Sequence, residues 1–225
     1  MPSTVERVLI GYGSESGNAE ALAMRLGKEE CLSHYAPIVV PLNDIPVSSL
    51  NERDLLLIVS SSFGDGEPPA NAEDFFARIQ ASENLNHLRT AIFGIGDTAY
   101  PRFCGFTKAL DALLQERGAR SLVNRVDADA DFETFFANWH FVVGRVLAGD
   151  AQAGLDLSLR VVAYGEADAF EAPLLERTQL NTSEPAAWNI RLGLAGSGIR
   201  YRAGDTLYVL PENGDDLLGR FTTWY

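Results

Sequence analysis

Five apolar runs, four of them followed by a stretch with apolar residues at helical spacing, constrain this chain more than any other feature. The runs are RVLIGY (7–12), PIVVPL (37–42), DLLLIVSSS (54–62), TAIFGIG (90–96) and SLVNRV (121–126). The helical stretches are 18–32, 71–81 with Asn71 as N-cap, 106–119 closed by Gly118, and 131–149. Strands without a polar face must be covered on both sides, and helices between them supply the cover. The expected class is therefore α/β, a doubly wound five-stranded parallel sheet over residues 1–148. Residues 149–171 are small and mixed, as a linker is. Residues 172–225 read as β-strands without intervening helices, too few for a complete sandwich or barrel.

In a sheet of this kind ligands sit beyond the carboxyl ends of the strands, and three strand-end loops stand out. The first is GSESGNA (13–19). Its small residues let backbone N–H groups converge on an anion, and the helix that follows adds the positive end of its dipole. Three catalytic or nucleotide motifs fail on spacing. There is no lysine for a P-loop, and no glycine two before and two after a serine for a nucleophile elbow. Gly17 falls four positions after Gly13, not the three of the dinucleotide fingerprint. A neutral phosphate cradle remains, beside the plainer reading of a serine-rich turn. Glu15 is awkward next to a phosphate, so its side chain is expected to point outward.

The second loop, SSSFGDGEPPANA (60–72), is long for its place and carries Phe63 where no core awaits it. An aromatic there can cover a flat ring. The third, GIGDTAYPRFCGF (94–106), offers Tyr100 and Phe103 as a second wall. Its Gly94-x-Gly96-x-x-Ala99 imitates a dinucleotide motif, but Pro101 falls where that motif's helix would run. A cradle and two aromatic loops suit a planar ring bearing a phosphate, such as flavin mononucleotide. A phospho-receiver of the same topology would need acidic residues where Gly-Tyr-Gly and Ser-Ser-Ser stand. No metal site is read from His34, His87, His140, Cys31 and Cys104, whose spacing is not that of ligands.

These motifs resemble the FMN domain of the diflavin reductases, the group that includes cytochrome P450 reductase and the flavoprotein subunit of assimilatory sulfite reductase. The likeness is specific over 7–148 and nearest the sulfite reductase branch through GDTAY, FC and RVDAD. It implies a flavodoxin-like fold and FMN as cofactor, with no catalytic acid, base or nucleophile and no bound metal. It implies that Ser14, Glu15, Ser16, Gly17, Asn18 and Ala19 hold the phosphate. Ser61, Ser62, Phe63 and Gly64 would line the ring on one side. Ile95, Gly96, Asp97, Thr98, Ala99, Tyr100, Phe103 and Cys104 would wrap the other, with Tyr100 stacked. Asp127 would sit near the pyrimidine edge or ribityl chain. Phe63 departs from members that carry tyrosine there. GSGIRYRAGDTLYVLPEN (196–213) resembles the opening strands of a ferredoxin-reductase-like FAD domain, so 172–225 is expected to be its incomplete N-terminal part.

The resemblance implies an electron-transfer module that takes electrons from an FAD/NADPH reductase and passes them to a redox metalloprotein such as sulfite reductase haemoprotein. The chain by itself is not expected to oxidise NADPH. Two other readings stay open: a flavodoxin-fold binding module with little or no flavin, and a nicotinamide-dependent oxidoreductase. The formal charge of -13 disfavours nucleic acid as partner and favours a basic docking face. No basic segment followed by an apolar stretch opens the chain, and the cysteines form no framework, so a cytoplasmic setting is expected. The C-terminal β segment is a possible site of self-association, because unpaired strand edges invite it.

Overall fold

The computed structural model describes residues 5–129, 131–159, 161, 169–199, 201 and 209. The chain divides into two units, 1–162 and 163–225. The first is built on strands β1 (Arg7–Gly13), β2 (Ile38–Pro41), β3 (Asp54–Ser61), β4 (Arg89–Ile95) and β5 (Arg120–Ala128). All are parallel, in the order β2-β1-β3-β4-β5. The order reverses between β1 and β3, and their carboxyl ends mark the crevice where such sheets take ligands.

Alternation along the strands sorts side chains to two cores. Val8, Ile10, Leu55, Leu57 and Phe93 join α1 (Asn18–Leu26) and α4 (Phe132–Leu147) on one face. Leu9, Leu56, Ile58 and Ile92 join α2 (Glu73–Ala81) and α3 (Gly105–Glu116) on the other. The first face is anchored by a fully buried aromatic cluster. Phe93 meets Phe136 edge-on at 5.1 Å and Trp139 at 5.6 Å. Burying each such ring contributes on the order of 2 kcal/mol.

Three local expectations differ from what is found. The helix expected over 18–32 ends at Leu26, and a 3-10 turn at Glu30–Tyr35 follows. Gly27 lets the helix end lie against β2, where a side chain would meet Val39 at 2.7 Å. Asn71 does not cap α2. Its carboxamide oxygen accepts the Ser14 N–H at 2.9 Å, and the Asn43 side chain takes the Phe75 N–H in the first turn of α2 at 3.0 Å. The stretch expected as linker opens with a helix, α5 (Ala151–Asp156), packed on β5. Gly154 permits this approach, because a Cβ there would lie 2.0 Å from the Leu122 carbonyl oxygen. The Asn124 amide secures it by donating to the Leu155 and Leu157 carbonyls.

At the amino-terminal edge of the sheet Asp54 is buried and takes two hydrogen bonds from Arg7, at 2.8 and 2.7 Å, and one from the Asn51 N–H at 2.9 Å. Burial alone would push its carboxyl up. The hydrogen bonds and the charges of Arg7 and Arg89 outweigh burial and hold it below the usual carboxylate range. A carboxyl with a depressed folded pKa adds stability that is fully present above its unfolded pKa, near 3.9, and is lost as pH falls through the folded value. Asp54→Asn is therefore expected to cost about 2 kcal/mol at pH 7. Urea unfolding as a function of pH should show a constant gap above about pH 5 that narrows toward strong acid. A gap that widened on acidification would contradict the assignment.

In the second unit β6 (Leu174–Gln179) and β7 (Trp188–Leu192) form an antiparallel ribbon. One face pairs Glu176 with Arg191, and the other stacks the Arg177 guanidinium on Trp188 at 3.8 Å. The strands expected over 196–214 lie largely outside the described residues. Among the described residues, no helix is long and apolar enough to cross a membrane and no group of three or more ligands could hold a metal ion.

Candidate functional site

The three loops meet at the carboxyl end of the sheet around a cleft of about 390 Å³. Its lining draws on each of them: Ser16 and Asn18 from the first, Ser61 to Gly64 and Gly66 from the second, Ile95 to Asp97, Tyr100 and Arg102 to Cys104 from the third.

The first loop leaves β1 and enters α1 through Gly17, at φ 88°, a conformation glycine takes without strain. The Gly17 N–H is held by the Ser14 hydroxyl at 3.0 Å. Asn18, Ala19 and Glu20 follow as the first turn of α1, whose N–H groups have no carbonyl one turn back. Such a turn, with exposed Ser16 and Asn18 beside it, is the donor set a phosphate requires.

The second loop closes on itself. The Phe63 N–H donates to the Glu67 carbonyl at 2.9 Å and the Glu67 N–H returns to the Phe63 carbonyl at 2.8 Å. Gly64 and Gly66 both take positive φ within this turn. Phe63 stands 56% exposed at the cleft, and Tyr100 on the third loop is 54% exposed. Large aromatic rings are left in water at such a place when a ligand, not the core, is their partner.

The second and third loops are locked together. The Ser62 N–H donates to the Ile95 carbonyl at 3.0 Å, and its hydroxyl accepts the Phe106 N–H at 3.1 Å in the first turn of α3. Asp65 pairs with Arg102 at 3.4 Å. The backbones of Gly66 and Gly105 touch, with no room for a side chain on either. Within the third loop Asp97 turns back on the Ala99 N–H at 2.8 Å. The Thr98 N–H and hydroxyl both donate to Asp129.

Cys104 precedes α3 in a left-handed conformation, φ 52°, with its sulfur near the Ala128 carbonyl. Burial, and then the charge of Asp127, push its thiol up to about 12, so it stays protonated at neutral pH and serves as a neutral wall.

The structure does not gather every expected residue into the lining. Ser14, Glu15, Gly17 and Ala19 support the cleft or its rim, and Thr98 and Ala99 shape the third loop. Asp127 lies on β5 outside the lining, where Arg125 holds its carboxylate at 2.9 and 3.2 Å and reaches Asp111 at 2.6 Å. Burial works against the charge of Arg125, yet its hydrogen bonds with Asp127 and the charges of both aspartates raise its pKa. Gly66, Asn71, Arg102, Arg125 and Asp129 also matter to the site, and the sequence reading does not assign them to it. The glycine-aspartate-glycine turn is a readable signal for the first of these. Asn71, Arg102 and Asp129 act through partners distant in sequence, while Arg125 joins a neighbour on its own strand, Asp127, to Asp111 on α3.

Flavin mononucleotide fits this donor set. Open N–H groups stand at a helix start, two exposed aromatics line the same cleft, and backbone polar groups of three loops surround it. FMN bound here supplies reversible redox chemistry; the residues around it would bind, orient and shield it.

Comparison with known proteins agrees with the geometry. The flavodoxin family model matches residues 10–139. The sulfite reductase [NADPH] flavoprotein alpha-component of Bacillus subtilis is 34% identical over 96% of this chain. That of Serratia proteamaculans is 31% identical over 96% of it. NADPH oxidoreductase A of Dictyostelium discoideum is 26% identical over 92%. The chain spans 38%, 38% and 35% of these relatives' lengths. Among solved structures, a flavodoxin from Streptococcus pneumoniae TIGR4 superposes with a TM-score of 0.55 at 26% identity, covering 63% of this chain and 97% of that one. Oxidised Flavodoxin 2 of Bacillus cereus gives 0.51 at 26% identity, covering 60% and 95%.

Proposed function

Because this chain belongs to the flavodoxin family, we propose that it is the FMN relay of an NADPH-driven reductase, receiving electrons from an FAD-bearing reductase domain and delivering them to a redox metalloprotein. Its cofactor is FMN and its work is electron transfer. The observation that carries the reading is the pair of exposed rings, Phe63 and Tyr100, lining one cleft with Ser16 and Asn18 at the start of α1.

In this reading, the first-turn N–H groups of α1 with Ser16 and Asn18 hold the phosphate, and no group there transfers it. Phe63 and Tyr100 orient the ring and keep water from its faces. The Ser62 and Ile95 backbones hold the two walls in register. Cys104 offers no thiolate to react with the ring. The name carried by the Bacillus and Serratia relatives supports sulfite reductase haemoprotein as an acceptor. The net charge of -13 favours an acceptor or donor face of opposite sign. A cytoplasmic setting accords with that chemistry.

Titration of the purified chain with FMN tests this. Saturable quenching of flavin fluorescence at one FMN per chain, with no comparable binding of NAD(P)H, is the expected result. Saturable NAD(P)H binding without flavin binding would sink the proposal in favour of a nicotinamide enzyme.

A further inference from the structure

Glu15 poses a problem for a phosphate loop, since a carboxylate next to an anion is repulsive. The structure shows where that carboxylate goes. Its Oε1 accepts the Ala70 N–H at 2.7 Å, across to the far end of the second loop. In the opposite direction the Asn71 Oδ1 accepts the Ser14 N–H at 2.9 Å. Two adjacent residues of one loop thus bond two adjacent residues of the other, one in each direction. The distal side is itself fixed. The Asn43 side chain donates to the Ala70 carbonyl at 3.0 Å, and the Asn43 N–H donates to the Asn71 carbonyl at 2.9 Å.

We propose that Glu15 is a positioning residue whose carboxylate, together with Asn71, clasps the phosphate loop to the ring loop, so that each half of the flavin site is held in place by the other. The inference rests on the FMN reading above. The second loop leaves β3, passes through the Phe63 turn and returns over two prolines to Ala70 and Asn71. Its leading end is tied to the third loop by Ser62, and its trailing end to the first loop by the clasp. With both ends held, the turn bearing Phe63 loses less freedom when the ring binds. Pre-organisation of this kind raises affinity without adding a contact to the ligand.

The clasp and simple charge repulsion predict opposite signs. If Glu15 acted on FMN only through its charge, removing it would tighten FMN binding and leave riboflavin, which has no phosphate, unaffected. If it acts as a clasp, loss of the acceptor loosens the ring loop and weakens both ligands.

The experiment measures dissociation constants of FMN and riboflavin for the unaltered chain, Glu15→Ala and Glu15→Gln by fluorescence quenching, with urea midpoints as a check on folding. Glu15 is exposed, so the midpoints are expected to coincide. Glu15→Ala is expected to weaken FMN and riboflavin alike by roughly fivefold, as for loss of one solvent-accessible charge-assisted hydrogen bond. Glu15→Gln keeps an acceptor oxygen and is expected to stay within about twofold of the unaltered chain. The proposal is overturned if Glu15→Ala binds FMN as tightly as before or tighter, if only FMN is affected, or if Glu15→Gln is as weak as Glu15→Ala. An unaltered chain that binds neither flavin would instead defeat the FMN reading itself.

Discussion

Gly66→Ala is expected to lower the unfolding free energy by about 2–3 kcal/mol and to weaken FMN binding more than tenfold. Two independent effects act at this position. The residue sits at φ 97°, where a side chain strains the backbone. The added Cβ would also lie 2.9 Å from the Arg102 Cβ, and 3.2 Å from both the Arg102 carbonyl oxygen and the Gly105 Cα. Two of those neighbours are main-chain atoms, so a rotamer change cannot relieve the clash. The second and third loops would have to part, disturbing the Asp65–Arg102 pair and the walls that carry Phe63 and Tyr100. Gly149→Ala is a built-in control. It has a similar φ, 104°, but nothing within 4 Å of its Cβ position. It should show the backbone strain alone, about 1 kcal/mol, and no change in FMN affinity. Urea unfolding and flavin titration of both variants separate the effects. A Gly66→Ala chain that binds FMN normally would show that the loops do not need this contact.

Arg125→Met is expected to cost about 3 kcal/mol at pH 7. Arg125 is three-quarters buried, with a side-chain exposure of 24%, and it lies between Asp111 at 11% and Asp127 at 18%. Removing the cation leaves two mostly buried carboxylates close together without a counter-charge. The penalty comes from stranding them more than from losing the ion pair itself, so a second comparison isolates the cause. Substituting Asp111→Leu and Asp127→Asn in the Arg125→Met background should recover much of the loss, since a buried ion cluster replaced as a whole is often nearly neutral. Urea denaturation measures both. The single variant should also lower the midpoint potential of bound FMN, because an uncompensated Asp127 adds negative charge beside the third loop. Full stability in the single variant would mean that solvent reaches these carboxylates freely.

Much of the site is legible in the order of the residues, and the remainder has a common character. Phe63 and Tyr100 stand out as aromatics in loops with no core to join, and the fold leaves both more than half exposed at one cleft. Gly17 and the serines around it announce a helix start suited to an anion. Asn71 reads as a helix cap because its position before a helix is a local pattern. Its actual partner is Ser14, 57 residues earlier. Glu15 is conspicuous as out of place, but its partner Ala70 lies 55 residues away. Residues 149–171 look like a linker because small residues have weak periodicity. Gly154 and Asn124 show that smallness there serves a close approach of helix to strand.

The sequence by itself determined the alternation of buried strands and amphipathic helices, the doubly wound class and the chemical kind of each loop. These follow from periodicity and from residue type, which act over a few neighbouring positions. Only the tertiary structure decided which loop residues bond to one another. It placed Asn71 against Ser14, Glu15 against Ala70, Ser62 against Phe106 and Arg125 between two aspartates. The loop pairings rely on the parallel register that sets Gly13 beside Ser60 and Ser61 beside Ile95, and Arg125 reaches Asp111 because α3 packs on β5. Register is settled between strands brought together from distant parts of the chain, so the pattern of one strand alone does not name the residues it will lie beside.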